Sequence, residues 1–122
     1  MTLIYLYKSR GITKDITILD GSGLSITPDS GDKVRAVIGR EGKLEDDLSG
    51  ALLVVTSGDE TANGSSFTLN TPEAPKNRLR LDASDLAEIP AGVYTLFIDF
   101  FDSSDHDEWK NVDRQVLCVE DT

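Results

Sequence analysis

Gly92-Val93-Tyr94-Thr95-Leu96-Phe97-Ile98-Asp99-Phe100-Phe101 is the stretch that decides the fold class. Tyr94, Leu96, Ile98 and Phe100 recur at every second position, so in an extended chain they share one face. Phe97 and Phe101 fall on the opposite face. Period-two alternation in a run this rich in aromatic and β-branched residues is a strand. A strand with so apolar a face has to bury it against a second layer.

Outward from this run, the same alternation recurs in short pieces. Toward the C-terminus, Arg114 to Glu120 reads as the last strand, with the acidic loop Asp102 to Glu108 before it. Toward the N-terminus, Asp82 to Ile89 resists the strand pattern. Asp82 is an N-cap candidate, the first turn is acid-rich, and Pro90 stops it, so a single helical turn is expected there. Arg78 to Leu81 alternates Leu79 and Leu81 with Arg78 and Arg80. Thr71 to Asn77 carries Pro72 and Pro75 and is neither helix nor central strand. Ser65 to Asn70, Ala51 to Thr56, Lys33 to Gly39, Leu24 to Thr27, Asp15 to Leu19 and Thr2 to Lys8 complete the series, separated by Gly, Asp, Asn, Ser and Pro clusters.

The expected fold is therefore all-β, an immunoglobulin-like antiparallel β-sandwich of about seven to nine strands with one short helical turn near 82–89. At 122 residues, with no internal repeat, residues 1–122 make one domain. Leu3-Ile4-Tyr5-Leu6-Tyr7 is apolar on both faces. As an edge strand it would invite pairing unless covered, so it either lies between the sheets or pairs with a neighbouring subunit.

Charge narrows the function classes. Lys and Arg total 12 against 22 Asp and Glu, a formal net charge of −10. Displacing counterions from phosphates requires the opposite sign, so nucleic-acid binding is not expected, nor is binding to anionic membrane surfaces. No run of about 18 apolar residues offers a membrane span, and Met1 to Arg10 lacks the basic leader and small-residue cleavage site of a signal peptide. The lone Cys118 cannot form an internal disulfide, which fits a reducing cytosol. Lying among Val116, Leu117 and Val119, it reads as a buried thiol acting as a small hydrophobe.

Catalytic patterns are missing. The glycines match no phosphate-binding loop. One histidine, His106, sits in an acidic loop where no nucleophilic triad can be built around it. The run Asp102-Ser103-Ser104-Asp105-His106-Asp107-Glu108 is the best metal candidate, since alternate oxygens at Asp102, Asp105 and Asp107 could converge on calcium. It lacks the glycine and distal glutamate of an EF-hand, and a solvated hairpin loop accounts for the same residues. No cofactor is expected. Trp109, beside that loop, reads either as an interface residue or as a cap on one end of the sandwich.

One longer pattern carries a resemblance. Gly31-Asp32-x-Val34-Arg35-Ala36-x-Ile38-Gly39 is followed by a charged connection and later by Arg78-Leu79-Arg80-Leu81. The acidic turn comes next, and then Ile89-Pro90-Ala91-Gly92-Val93-Tyr94. From about Asp15 to Val119 the chain resembles the immunoglobulin-like domains of tailed-phage virion proteins, including the N-terminal domain of baseplate upper proteins and small head or neck accessory proteins. Baseplate upper proteins carry a further C-terminal part, and this sequence has one domain. The resemblance therefore implies a non-enzymatic decoration, cement or head-tail or baseplate accessory protein, made in the host cytoplasm and resident in the virion. Its partners would be capsid or tail subunits, engaged in multiple copies or as a homo-oligomer through Tyr5, Tyr7 and Trp109. Two other classes fit the residues: a carbohydrate- or calcium-binding sandwich module using Asp102 to Trp109, and an acidic inhibitor that mimics nucleic acid.

Overall fold

The computed structural model describes residues 3–40, 48–104 and 108–121. The elements in chain order are β1 (Leu3–Tyr7), β2 (Ile12–Leu19), β3 (Ser25–Ile26), β4 (Lys33–Gly39), β5 (Leu53–Thr56), β6 (Ser66–Thr68), β7 (Lys76–Leu81), α1 (Ala83–Leu86), β8 (Gly92–Phe101) and β9 (Trp109–Glu120). They form a five-stranded sheet in the order β1-β9-β8-β4-β5 and a four-stranded sheet in the order β3-β2-β7-β6.

The run that opened the sequence reading lies at the centre of the larger sheet. Tyr94, Leu96, Ile98 and Phe100 all point into the core, where Leu96 and Ile98 meet Val34, Ala36 and Ile38 of β4 and Leu117 of β9. The smaller sheet supplies Ile16, Ile18, Phe67, Leu79 and Leu81 to the same cluster. Burying each such side chain contributes about 1.5–3 kcal/mol, so the alternation of these strands is what joins the layers. The chain is an all-β sandwich, and the adjacency of β9, β8, β4 and β5 in one sheet and of β2, β7 and β6 in the other is the strand order found in immunoglobulin-like folds.

A local feature supports that topology. The helical turn expected at 82–89 is α1, and the Asp82 side chain caps it by accepting from the Ser84 amide at 2.9 Å. Leu86 and Ile89 drop from this turn into the core. Tyr94 then donates its hydroxyl to the Pro90 carbonyl at 2.6 Å, which clamps the crossing from β7 to β8. This is the tyrosine corner of immunoglobulin-like domains, and it explains why Pro90 and Tyr94 stand four residues apart.

Two expectations are corrected. The sandwich is not antiparallel throughout, because β1 runs parallel to β9, from Leu3 opposite Val116 to Tyr7 opposite Glu120. Hairpin neighbours must be antiparallel, but these two strands are joined by nearly the whole domain, so no turn dictates their direction. The last strand also begins at Trp109 rather than Arg114. Asn111, Lys110 and Trp109 pair with Asp99, Phe100 and Phe101 beyond a bulge at Ile98/Asp99. Val112 is the extra residue at that bulge, and it packs against the core.

Candidate functional site

The outer face of the four-stranded sheet is what a solvated sheet requires. Thr13, Asp15 and Thr17 on β2 alternate with core residues, and Arg78 and Arg80 of β7 stand beside them. Arg78 pairs with Asp15 at 3.0 Å in the open.

The outer face of the five-stranded sheet is different. Register places Tyr5, Cys118 and Val93 side by side across β1, β9 and β8, with Leu3, Val116 and Thr95 in the next row but one along the strands. Val93 is 68% exposed, Tyr5 60%, Leu3 49% and Tyr7 39%. These are large apolar side chains gathered on one surface rather than scattered singly. Cys118 belongs to this surface and is only half-buried. The expectation of a core thiol is therefore wrong, because Leu117 and Val119 take the two inward positions that flank it.

Toward the other end of β8 the same face is covered by the chain itself. Arg35 of β4 donates Nε–H to Asp99 Oδ2 at 2.8 Å, with side-chain exposures of 7% and 0%. Asn111 Nδ2 donates to the other carboxylate oxygen at 3.1 Å. The Trp109 ring lies over the Arg35 guanidinium, 4.3 Å from its centroid, and against Phe101 at 5.5 Å. Arg114 covers Phe97 in the same manner at 5.4 Å. Guanidinium groups stacked on aromatic faces keep one side hydrated while shielding apolar area beneath.

The structure thus puts Tyr5, Tyr7 and Trp109 on one face of one sheet but does not bring them together. The tyrosines lie beside the C-terminal half of β9, and Trp109 starts that strand as the lid on a buried ion pair. Of the acidic loop, Asp105 and Asp107 lie outside the described residues. Asp102 closes a local turn, accepting from the amide and hydroxyl of Ser104 at 3.0 and 2.7 Å. The Ser104 hydroxyl first, then its amide, hold the Asp102 carboxyl below the usual carboxylate range. Among the described residues, no three His, Cys, Asp or Glu side chains gather as metal ligands.

One concavity lies elsewhere. A cleft of about 540 Å³ opens between β5 and β6, floored by Phe67 and Leu69 and rimmed by Lys33, Asp59 and Glu60. Its loop wall is tied to α1 through Asp85, which accepts from the Thr61 hydroxyl at 2.6 Å, the Asn63 amide at 3.0 Å and the Ser65 hydroxyl. Burial pushes the Asp85 carboxyl up, but these donors outweigh it and hold it below its ordinary value.

Sequence reasoning found the two-sided apolar character of β1 and missed Val93, Cys118 and the Arg35–Asp99 pair. The pair had a weak signal, a charge inside each of two mostly apolar runs, Val34 to Ile38 and Val93 to Phe101, that turn out to be neighbours. Comparison with protein-family models gives no match, and no curated protein is significantly similar to the chain.

Proposed function

We propose that the chain is a non-enzymatic docking domain of a phage particle, a decoration, cement or head-tail or baseplate accessory protein. In this reading it seats the outer face of its five-stranded sheet on an apolar surface of another virion subunit. The observation that carries the docking part is the contrast between the two outer faces. A sheet with one face in water alternates apolar and polar residues, whereas strands covered on both faces are apolar throughout. β1 and residues Val116 to Val119 of β9 follow the second pattern, yet Leu3, Tyr5 and Val93 are exposed, and Tyr7 beside them carries only the Arg10 guanidinium over its ring. The virion context is supported by the resemblance of about Asp15 to Val119, through the 31–39 and 78–94 patterns, to phage sandwich domains. Repetition of the partner lattice would let many modest contacts hold the protein.

The test is mass spectrometry of purified particles from a host carrying the gene. The chain is expected at a fixed stoichiometry to the major capsid or tail protein, and particles that lack it overturn the virion reading. Particles assembled with Val93→Lys in its place are expected to lose the bound chain.

A further inference from the structure

Among the described residues, each sheet ends in two strands that have one neighbour, and three of these four edges are blunted. β3 has two residues and β6 three. β5 has four, and Asp59 folds back to bridge Thr56. Short edges and local folding-back are the usual protections against pairing with another chain. β1 has five residues and, among the described residues, a single strand neighbour, β9.

The main-chain groups at this edge can be assigned. Lys8 donates its amide to Glu120 of β9, so even-numbered residues of β1 face β9. Leu3, Tyr5 and Tyr7 then direct their N–H and C=O away from the sheet. The Tyr7 carbonyl agrees with that direction but already accepts from the Arg10 amide of the following turn, so a strand pairing here relies on the groups of Leu3 and Tyr5 and on the Tyr7 amide.

We propose that two copies of this chain pair antiparallel through β1 about a two-fold axis at Tyr5, which joins their five-stranded sheets into one. Three features favour a second copy. The sequence of β1 is self-complementary about Tyr5, since this register sets Tyr5 against Tyr5 and Leu3 against Tyr7 on the outer face, and Ile4 against Leu6 on the inner face. A two-fold contact requires such a match of one patch with itself. The edge-facing groups of Tyr5 meet their own copies, giving reciprocal N–H···O=C bonds with no orphan opposite them. Finally, β1 carries no charge in a chain of net charge −10, so two copies meet here without apposing acids. Aromatic and aliphatic cross-strand pairs of this kind are the stabilising unit of a sheet. Because the axis is normal to the sheet, the apolar outer faces of both copies end on the same side. The pairing itself does not depend on the virion reading.

The experiment is light scattering coupled to size exclusion over a concentration series, with two variants. The wild type is expected to approach twice the 13.3 kDa of the chain. Tyr5→Lys, which opposes two ammonium groups across the axis, is expected to return it to 13.3 kDa with an unchanged circular dichroism spectrum. Tyr5→Cys in a Cys118→Ser background removes the neighbouring thiol and is expected to form an interchain disulfide under mild oxidation. An antiparallel bonded pair holds its Cα atoms about 5.5 Å apart, within disulfide reach. A wild type that stays monomeric up to about 1 mM, where an association of about 4 kcal/mol would be half complete, overturns the proposal. So does a dimer that survives Tyr5→Lys. If Tyr5→Lys unfolds, the crosslink decides, and its absence overturns the pairing. A monomeric chain that is still present in particles sinks the dimer and leaves the docking reading standing.

Discussion

The two sheets present the same kind of inner face and opposite outer ones. On the four-stranded sheet the outward positions of β2 and β7 are Thr13, Asp15, Thr17, Lys76, Arg78 and Arg80, with Leu19 the one apolar side chain among them, and its ion pair Arg78–Asp15 is exposed. On the five-stranded sheet the outward positions around β1 hold Leu3, Tyr5, Tyr7, Val93, Val116 and Cys118, with Thr95 and Glu120 at their margin, and the ion pair Arg35–Asp99 is sealed under an indole. The core needs only the inner faces, so it cannot explain the difference. Holding apolar side chains at the surface gives up about 25 cal/mol for each Å² left in water, and a covering partner would recover it.

The sharpest way to break this comparison is through the two ion pairs. Asp99→Ala removes the buried carboxylate that the Arg35 Nε–H meets and is expected to lower unfolding free energy by about 3–5 kcal/mol in urea melts. Arg78→Ala on the other face removes an exposed pair and should cost less than about 1 kcal/mol. Equal losses would mean that the two faces are not different environments. Replacing Arg35 and Asp99 together by Met and Leu should recover most of the first loss, because the desolvated charge rather than the missing attraction carries the penalty.

Next in size is the clamp that both sheets share. Tyr94→Phe keeps the ring in the core and removes the bond to the Pro90 carbonyl, so a loss of about 1 kcal/mol is expected from thermal melts. A loss well above that would place packing strain, rather than one hydrogen bond, at the corner.

The side of the smaller sheet is held by polar networks, and Asp85 makes that testable by pH. Its carboxyl titrates below 3.8 in the folded chain, so it binds fewer protons there than when unfolded. Its contribution is therefore fully present above the unfolded value and is lost as pH falls through the folded one. Asp85→Asn should be less stable than wild type at neutral pH, and the gap should close as pH drops below 3.8. A gap constant from neutral to acid pH would show that the carboxylate charge is not what ties the loop to α1.

How much of this was legible in the sequence follows from where polar residues interrupt the strands. In β7, Arg78 and Arg80 fix which positions face inward, and α1 was readable from Asp82 and Pro90. In β9, Val116-Leu117-Cys118-Val119 has no such interruption, so Cys118 could be read as core when its outward parity makes it surface. The bulge at Ile98/Asp99 shifts the register of β9 and hides Trp109 to Asp113 from a period-two reading. Tyr5 and Tyr7 were legible as candidates because β1 is apolar on both faces. That Val93 joins them depends on a cross-sheet register that no local pattern encodes.

The smallest stability effect is also the most specific to the comparison. Val93 is 68% exposed at the start of β8 and has little packing to lose, so Val93→Lys should change unfolding free energy by no more than about 0.5 kcal/mol. The same substitution sets a charge beside Tyr5 and Cys118, in the middle of the bare surface. A covering partner would have to desolvate that ammonium, at a cost of several kcal/mol unless it finds a counter-charge. Thr17→Lys on the outer face of the smaller sheet is the matched control, exposed on a strand beside Asp15 and opposite Lys76. Association with particles measured for the two variants should fall for Val93→Lys and stay level for Thr17→Lys. Equal retention of both would leave the apolar outer face without a role in docking, whatever else holds the chain in place.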